Sequence, residues 1–96
     1  DMRERKAKID ERSDAFIVLP GGIGTLEEAI EILSMRQLKL TDKPLVFVNS
    51  KGFFETLNKI LDIMIEQKFA KENLRNLFAM TPDPKTALKY ILNYKT

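Results

Sequence analysis

Apolar residues along this chain fall into two kinds of pattern. Residues 15–19 and 45–48 form short runs of β-branched and aromatic side chains without the polar alternation of a strand that has one wet face. They predict strands covered on both sides. Residues 77–80 make a third, weaker candidate. Between these runs the spacing turns helical. Leu26, Ala29, Ile30 and Leu33 share one face, and Leu57, Ile60, Leu61, Met64 and Ile65 do so more strongly, opposite Glu55, Lys59, Asp62 and Glu66. Asp83 followed by Pro84 reads as a cap and a first-turn proline for a last helix carrying Ala87, Leu88, Ile91 and Leu92. Residues 2–11 suggest a charged first helix with Ala7 and Ile9 as its apolar positions.

The resulting order alternates helix and strand throughout, which predicts right-handed crossovers and a parallel sheet with helices on both faces, an α/β fold. Three strands make a small sheet, and apolar strands want neighbours at their edges as well as helices on their faces. The expectation is therefore one partial domain over residues 1–96, the C-terminal half of a Rossmann-like fold whose first strands lie upstream. The connecting stretches TDKP, NSKG and TPDP are rich in turn residues, and no repeat or low-complexity tract interrupts the chain.

Composition narrows the chemistry. Among 96 residues, 16 basic side chains against 14 acidic ones leave a net charge of +2, too balanced for a protein that coats nucleic acid. Cysteine is absent, which removes disulfide and thiolate chemistry and suits a cytoplasmic location. Histidine is absent too, so general acid–base work would fall to Glu, Asp, Lys, Arg or backbone amides, and a zinc or other metal site is not expected. No apolar run approaches the roughly 20 residues that cross a bilayer, and no membrane partner is expected.

The stretch after the first strand candidate carries the distinctive chemistry. Pro20, Gly21, Gly22, Ile23, Gly24 and Thr25 lead into a helix expected to begin at about Leu26. In an open parallel sheet, ligands bind at the carboxyl ends of strands, where glycines admit a phosphate and the next helix directs its amides at it. Neither common nucleotide motif fits, because the P-loop lysine is missing and Glu27 stands where the dinucleotide fingerprint needs its third glycine. A tight turn with no ligand would read the same way. Glu28 is equally two-sided: Thr25 and Glu28 have the spacing of a capping box, in which each side chain satisfies a backbone amide of the same helix start. Arg3, Arg5 and Lys6 form either an exposed basic face or a set of phosphate-holding groups.

Two acids beside an anion site pose an energetic problem. A carboxylate about 8 Å from a phosphate repels it by about 2 kcal/mol at an effective dielectric of 20, which a nearby arginine must offset. Cleavage of a ribosyl–base bond supplies a use for the acid, since its transition state is cationic at the sugar while the 5′-phosphate stays anionic.

These residues resemble a known family. MRERK followed by PGGIGTLEE is similar to the paired signature of the LONELY GUY phosphoribohydrolases, Met-His-x-Arg-Lys and Pro-Gly-Gly-x-Gly-Thr-x-x-Glu, matching the second motif at every fixed position and the first at Met2, Arg5 and Lys6. Arg3 stands where that family usually has His. QLKLTDKPLVFVNSKGFF and IEQKFAKENLRNLF extend the likeness downstream. The resemblance implies a Rossmann-like homodimer, free of metal and organic cofactor. It would hydrolyse the N-glycosidic bond of adenosine 5′-monophosphate or its N6-substituted cytokinin forms, releasing base and ribose 5-phosphate. It implies Arg5 and Glu28 as the catalytic pair, with Lys6, Gly21, Gly22, Ile23, Gly24 and Thr25 holding substrate. The competing reading is a Rossmann-like module that binds a nucleotide or cofactor without catalysis. A lysine decarboxylase reading, often attached to this family, would need pyridoxal phosphate on a buried lysine, and Lys6, Lys39, Lys43 and Lys51 have the look of charged-helix, loop or helix-end residues.

Overall fold

The structure is a computed structural model that describes residues 13–94. The expected first helix over residues 2–11, with Arg5 and Lys6, lies outside the described residues.

Three parallel strands, β1 (Phe16–Val18), β2 (Leu45–Val48) and β3 (Ala79–Thr81), form one sheet in the order β1-β2-β3. Val18 sits beside Phe47, and Phe47 beside Met80. All four residues of the central strand are buried, as its unbroken apolar run requires. β1 departs from expectation. Phe16 and Val18 are buried but Ile17 is 42% exposed, because the helix on that face packs over β2 and β3 instead.

That helix is α3 (Pro84–Leu92), whose Ala87 packs on Val46 and Val48. The opposite face is covered by α1 (Ile23–Gln37) and α2 (Glu55–Glu66), which place Ala29, Leu33 and Leu61 against Phe16, Val18, Leu45 and Phe47. Leu74, from the tight turn Glu72–Leu77, closes this cluster. The result is the expected α/β architecture with helices on both faces.

The helices differ from their sequence reading in three physical details. α1 begins at Ile23 and not at Leu26, so the glycine-rich turn supplies its first turn. Its buried stripe is Ala29, Leu33 and Arg36, while Leu26 and Ile30 are exposed. Arg36 can end an apolar stripe because its guanidinium donates to the Lys43 carbonyl and to the Tyr94 hydroxyl (3.0 Å), in the last turn where helix carbonyls favour a cation. On α2 only Leu61 is buried, and Ile60 and Met64 of the expected apolar face are exposed.

α1 and α2 also stop without a sequence signal for it. Lys39 and Lys68 take the left-handed conformation, φ 60° and 66°, with return bonds from Leu40 N to Met35 O (2.8 Å) and from Phe69 N to Met64 O (2.7 Å). Glycine is the usual residue there, so a lysine hides the helix end from a reader of sequence. No helix among the described residues is long and apolar enough to cross a membrane.

Candidate functional site

The carboxyl ends of the three strands share one rim of the sheet, and the glycine turn rises from the β1 end of it. Gly22 is the residue before the helix, extended at φ −95° and ψ −160°, and no side chain caps α1. The first hydrogen bond from a later residue is Leu26 N to Gly22 O (3.1 Å). The amides of Ile23, Gly24 and Thr25 therefore have no carbonyl within the helix to bond, which is the arrangement that receives an oxyanion.

The three glycines of this turn differ in what they are for. A Cβ on Gly21 would lie 2.6 Å from the Thr25 hydroxyl oxygen, so packing alone excludes a side chain there. Gly22 and Gly24 have nothing within 4 Å of such a Cβ. Their lack of a side chain keeps the approach to the amides open and is not demanded by any neighbour.

Glu28 sits one turn further along α1. Because the helix starts at Ile23, Thr25 is inside its first turn and not at its cap, and the capping box does not form. The Glu28 side chain is exposed, and among the described residues its carboxylate takes part in no hydrogen bond or ion pair. Thr25 and Glu28 line the same cavity of about 420 Å³, together with Leu19, Pro20 and Ile32 along the outer side of β1. Gly21, Gly22, Ile23 and Gly24, between its lining residues Pro20 and Thr25 in the chain, are exposed and do not line it. The structure thus brings together Thr25, Glu28 and the turn, while Arg5 and Lys6 lie outside the described residues.

Sequence reading missed Asn49, which organises the neighbouring part of the rim. Its side-chain oxygen accepts from Phe54 N (2.7 Å), its amide nitrogen donates to Glu55 Oε2 (3.2 Å), and its backbone N–H donates to Thr81 O (2.7 Å). One residue ties the ends of β2 and β3 to the start of α2. The only hint in the sequence was an Asn at the end of an apolar run, easily taken for an ordinary turn residue.

Among the described residues no group of three or more acidic side chains is placed to hold a metal ion. Among the described residues no buried lysine is placed to carry pyridoxal phosphate as a Schiff base. Every described lysine is exposed except Lys43, which is half-buried just before β2, at the end of the sheet away from the glycine turn.

A parallel sheet carrying a glycine-rich helix start with no side-chain cap, beside a carboxylate that bonds to nothing among the described residues, is a Rossmann-like arrangement with room for an oxyanion. A family profile described as "Possible lysine decarboxylase" matches residues 1–91, and the chain belongs to that family. Its relatives carry the more specific LONELY GUY names. The chain is 39% identical over 94 residues to a protein of Oryza sativa subsp. japonica named "Probable cytokinin riboside 5'-monophosphate phosphoribohydrolase", covering 98% of this chain and 38% of the relative. Two cytokinin riboside 5′-monophosphate phosphoribohydrolases of Arabidopsis thaliana are similar at 38% and 39% identity, covering 98% and 99% of this chain and 44% and 42% of the relatives. The chain spans about two fifths of the length of these relatives.

Proposed function

We propose that the full-length protein hydrolyses the N-glycosidic bond of nucleoside 5′-monophosphates, adenosine 5′-monophosphate or its N6-substituted cytokinin forms, to free base and ribose 5-phosphate. The observation that carries this reading is the free Glu28 carboxylate in a cavity beside helix amides that no side chain caps. The relatives' names support the same substrate class.

The division of labour follows from charge. The amides of Ile23, Gly24 and Thr25 receive the 5′-phosphate, with Gly21 and Gly22 giving it access and the Thr25 hydroxyl beside it. Glu28 then faces the sugar, where positive charge develops as the bond to the base lengthens, and either stabilises that charge or takes a proton from the attacking water. Arg5 and Lys6, from the other half of the motif pair, offset the repulsion between phosphate and Glu28 and steady the leaving base.

The same reading makes this chain the C-terminal part of one Rossmann-like domain. Ile17, exposed on the edge strand β1, is what an upstream strand and its helix would cover. By family likeness the protein works as a homodimer in the cytoplasm.

The test is a panel of nucleoside monophosphates and the matching nucleosides, each incubated with the full-length protein while free base is measured. Monophosphates should release base, and the nucleosides should react at least about tenfold more slowly, since each 1.4 kcal/mol of lost phosphate binding is one decade. Equal rates on both would remove the phosphate from the glycine turn. Tight nucleotide binding without release of base would make the protein a binding module instead.

A further inference from the structure

The ribose of a nucleotide separates its phosphate from its base, so a site that grips one end at the glycine turn needs a second support for the other. The loop after β2 is in position to give it. Val18 pairs with Phe47, so this loop leaves the sheet beside the glycine turn, one parallel-strand spacing away, about 4.8 Å.

The loop is firmly held. Asn49 fastens both its ends, Gly52 N donates to Asn49 O (3.1 Å), and Phe53 N donates to Ser50 O (3.1 Å). Lys51 and Gly52 are both left-handed, with φ 53° and 73°. That reversal leaves Phe54 buried and Phe53 53% exposed. The exposed ring is braced from below: Phe53 stands edge-on to Phe54 at 4.9 Å, and Phe54 edge-on to Phe47 at 5.1 Å. Phe47 is fully buried in the central strand. A strained backbone and a column of rings thus present one aromatic face at the ligand-binding rim, where solvation favours a polar residue. Among the described aromatic residues, Phe53 alone is exposed at the carboxyl end of the sheet.

We propose that Phe53 receives the heterocyclic base of the nucleotide, ring against ring, while the amides of α1 hold the phosphate. The proposal rests on the function given above, and it names Phe53 as a residue that sets base affinity and takes no part in proton transfer.

The experiment uses the full-length protein and its Phe53→Ala and Phe53→Tyr variants. It reads KM and kcat for a nucleoside monophosphate, inhibition by ribose 5-phosphate, which lacks the base, and the sedimenting mass. Phe53→Ala should raise KM about tenfold, the usual scale for one base–aromatic stack, with inhibition by ribose 5-phosphate unchanged. Phe53→Tyr should restore KM. A KM for Phe53→Ala within about twofold of the parent overturns the proposal. So does a parallel weakening of ribose 5-phosphate inhibition, or a change confined to sedimenting mass, which would make Phe53 a protein contact. If the parent releases no base, the hydrolase reading fails by itself. Calorimetric binding of nucleotide against ribose 5-phosphate then decides Phe53 by the same criterion.

Discussion

Among the described residues two helices start directly after a strand turn, α1 after β1 and α3 after β3, and they are built on opposite plans. α3 has everything that makes a start self-sufficient. Asp83 is extended and accepts from Thr86 N (2.7 Å), and Pro84, which has no N–H to satisfy, sits in the first turn. α1 has an extended Gly22 in the equivalent place, with no side chain to offer, and a carboxylate one turn along that bonds to nothing among the described residues. A helix start that serves only stability satisfies itself. One that serves a ligand leaves its donors open and accepts the cost in the empty state.

Exchanging the two plans gives the largest effect on nucleotide binding. Gly22→Asp would place a capping carboxylate where φ already suits it and where nothing lies within 4 Å of the new Cβ. Stability should hold or rise by a few tenths of a kcal/mol, while nucleotide affinity falls by about tenfold or more, because the new charge occupies and repels the phosphate position. Calorimetry on the same preparation gives both quantities. A variant that keeps its nucleotide affinity would show that α1 starts without a cap for no ligand-related reason.

Removing the self-sufficient start gives a smaller effect of the opposite kind. Asp83→Ala should lower the melting midpoint and leave nucleotide affinity alone. The Asp83 carboxyl is held below its ordinary value of 3.8, chiefly by the hydrogen bond from the Thr86 backbone amide, with the Thr86 side chain and Lys85 adding to it. Its contribution is therefore complete above that ordinary value and is lost as pH falls through the lowered one. Melting curves of parent and variant should converge as the solution is acidified below 3.8. Curves that stay parallel would mean the carboxylate does not cap α3.

The same contrast explains what the sequence disclosed. Asp83-Pro84 is a local signal whose partner lies three residues on, so the start of α3 is legible at Asp83 and Pro84. β2 was equally plain, because a strand buried on both faces has no alternative to a continuous apolar run. The α1 start was misplaced, since Gly22-Ile23-Gly24 reads as a turn until the backbone shows the helix absorbing it. Exposure of Leu26, Ile30, Ile60 and Met64 was invisible for another reason: periodicity reports that a face is apolar, and not what covers it. The helix ends at Lys39 and Lys68 gave no signal because lysine seldom adopts that conformation. At the site, the motif with its glycines and Glu28 was legible as residue types. Whether Glu28 capped its own helix was not, because a capping box and an open site share one spacing. Asn49 acts through side-chain hydrogen bonds to Phe54 and Glu55, five and six residues on, which no helix or strand period announces.

Glu28→Gln provides the most direct measurement, with its melting midpoint and its rate of base release taken on one preparation of the full-length protein. An exposed carboxylate that bonds to nothing among the described residues predicts an unchanged midpoint with base release reduced by about 10²–10⁴-fold, the range that a positioned acid–base group supplies. A lowered midpoint with base release intact would contradict the account and return Glu28 to the helix.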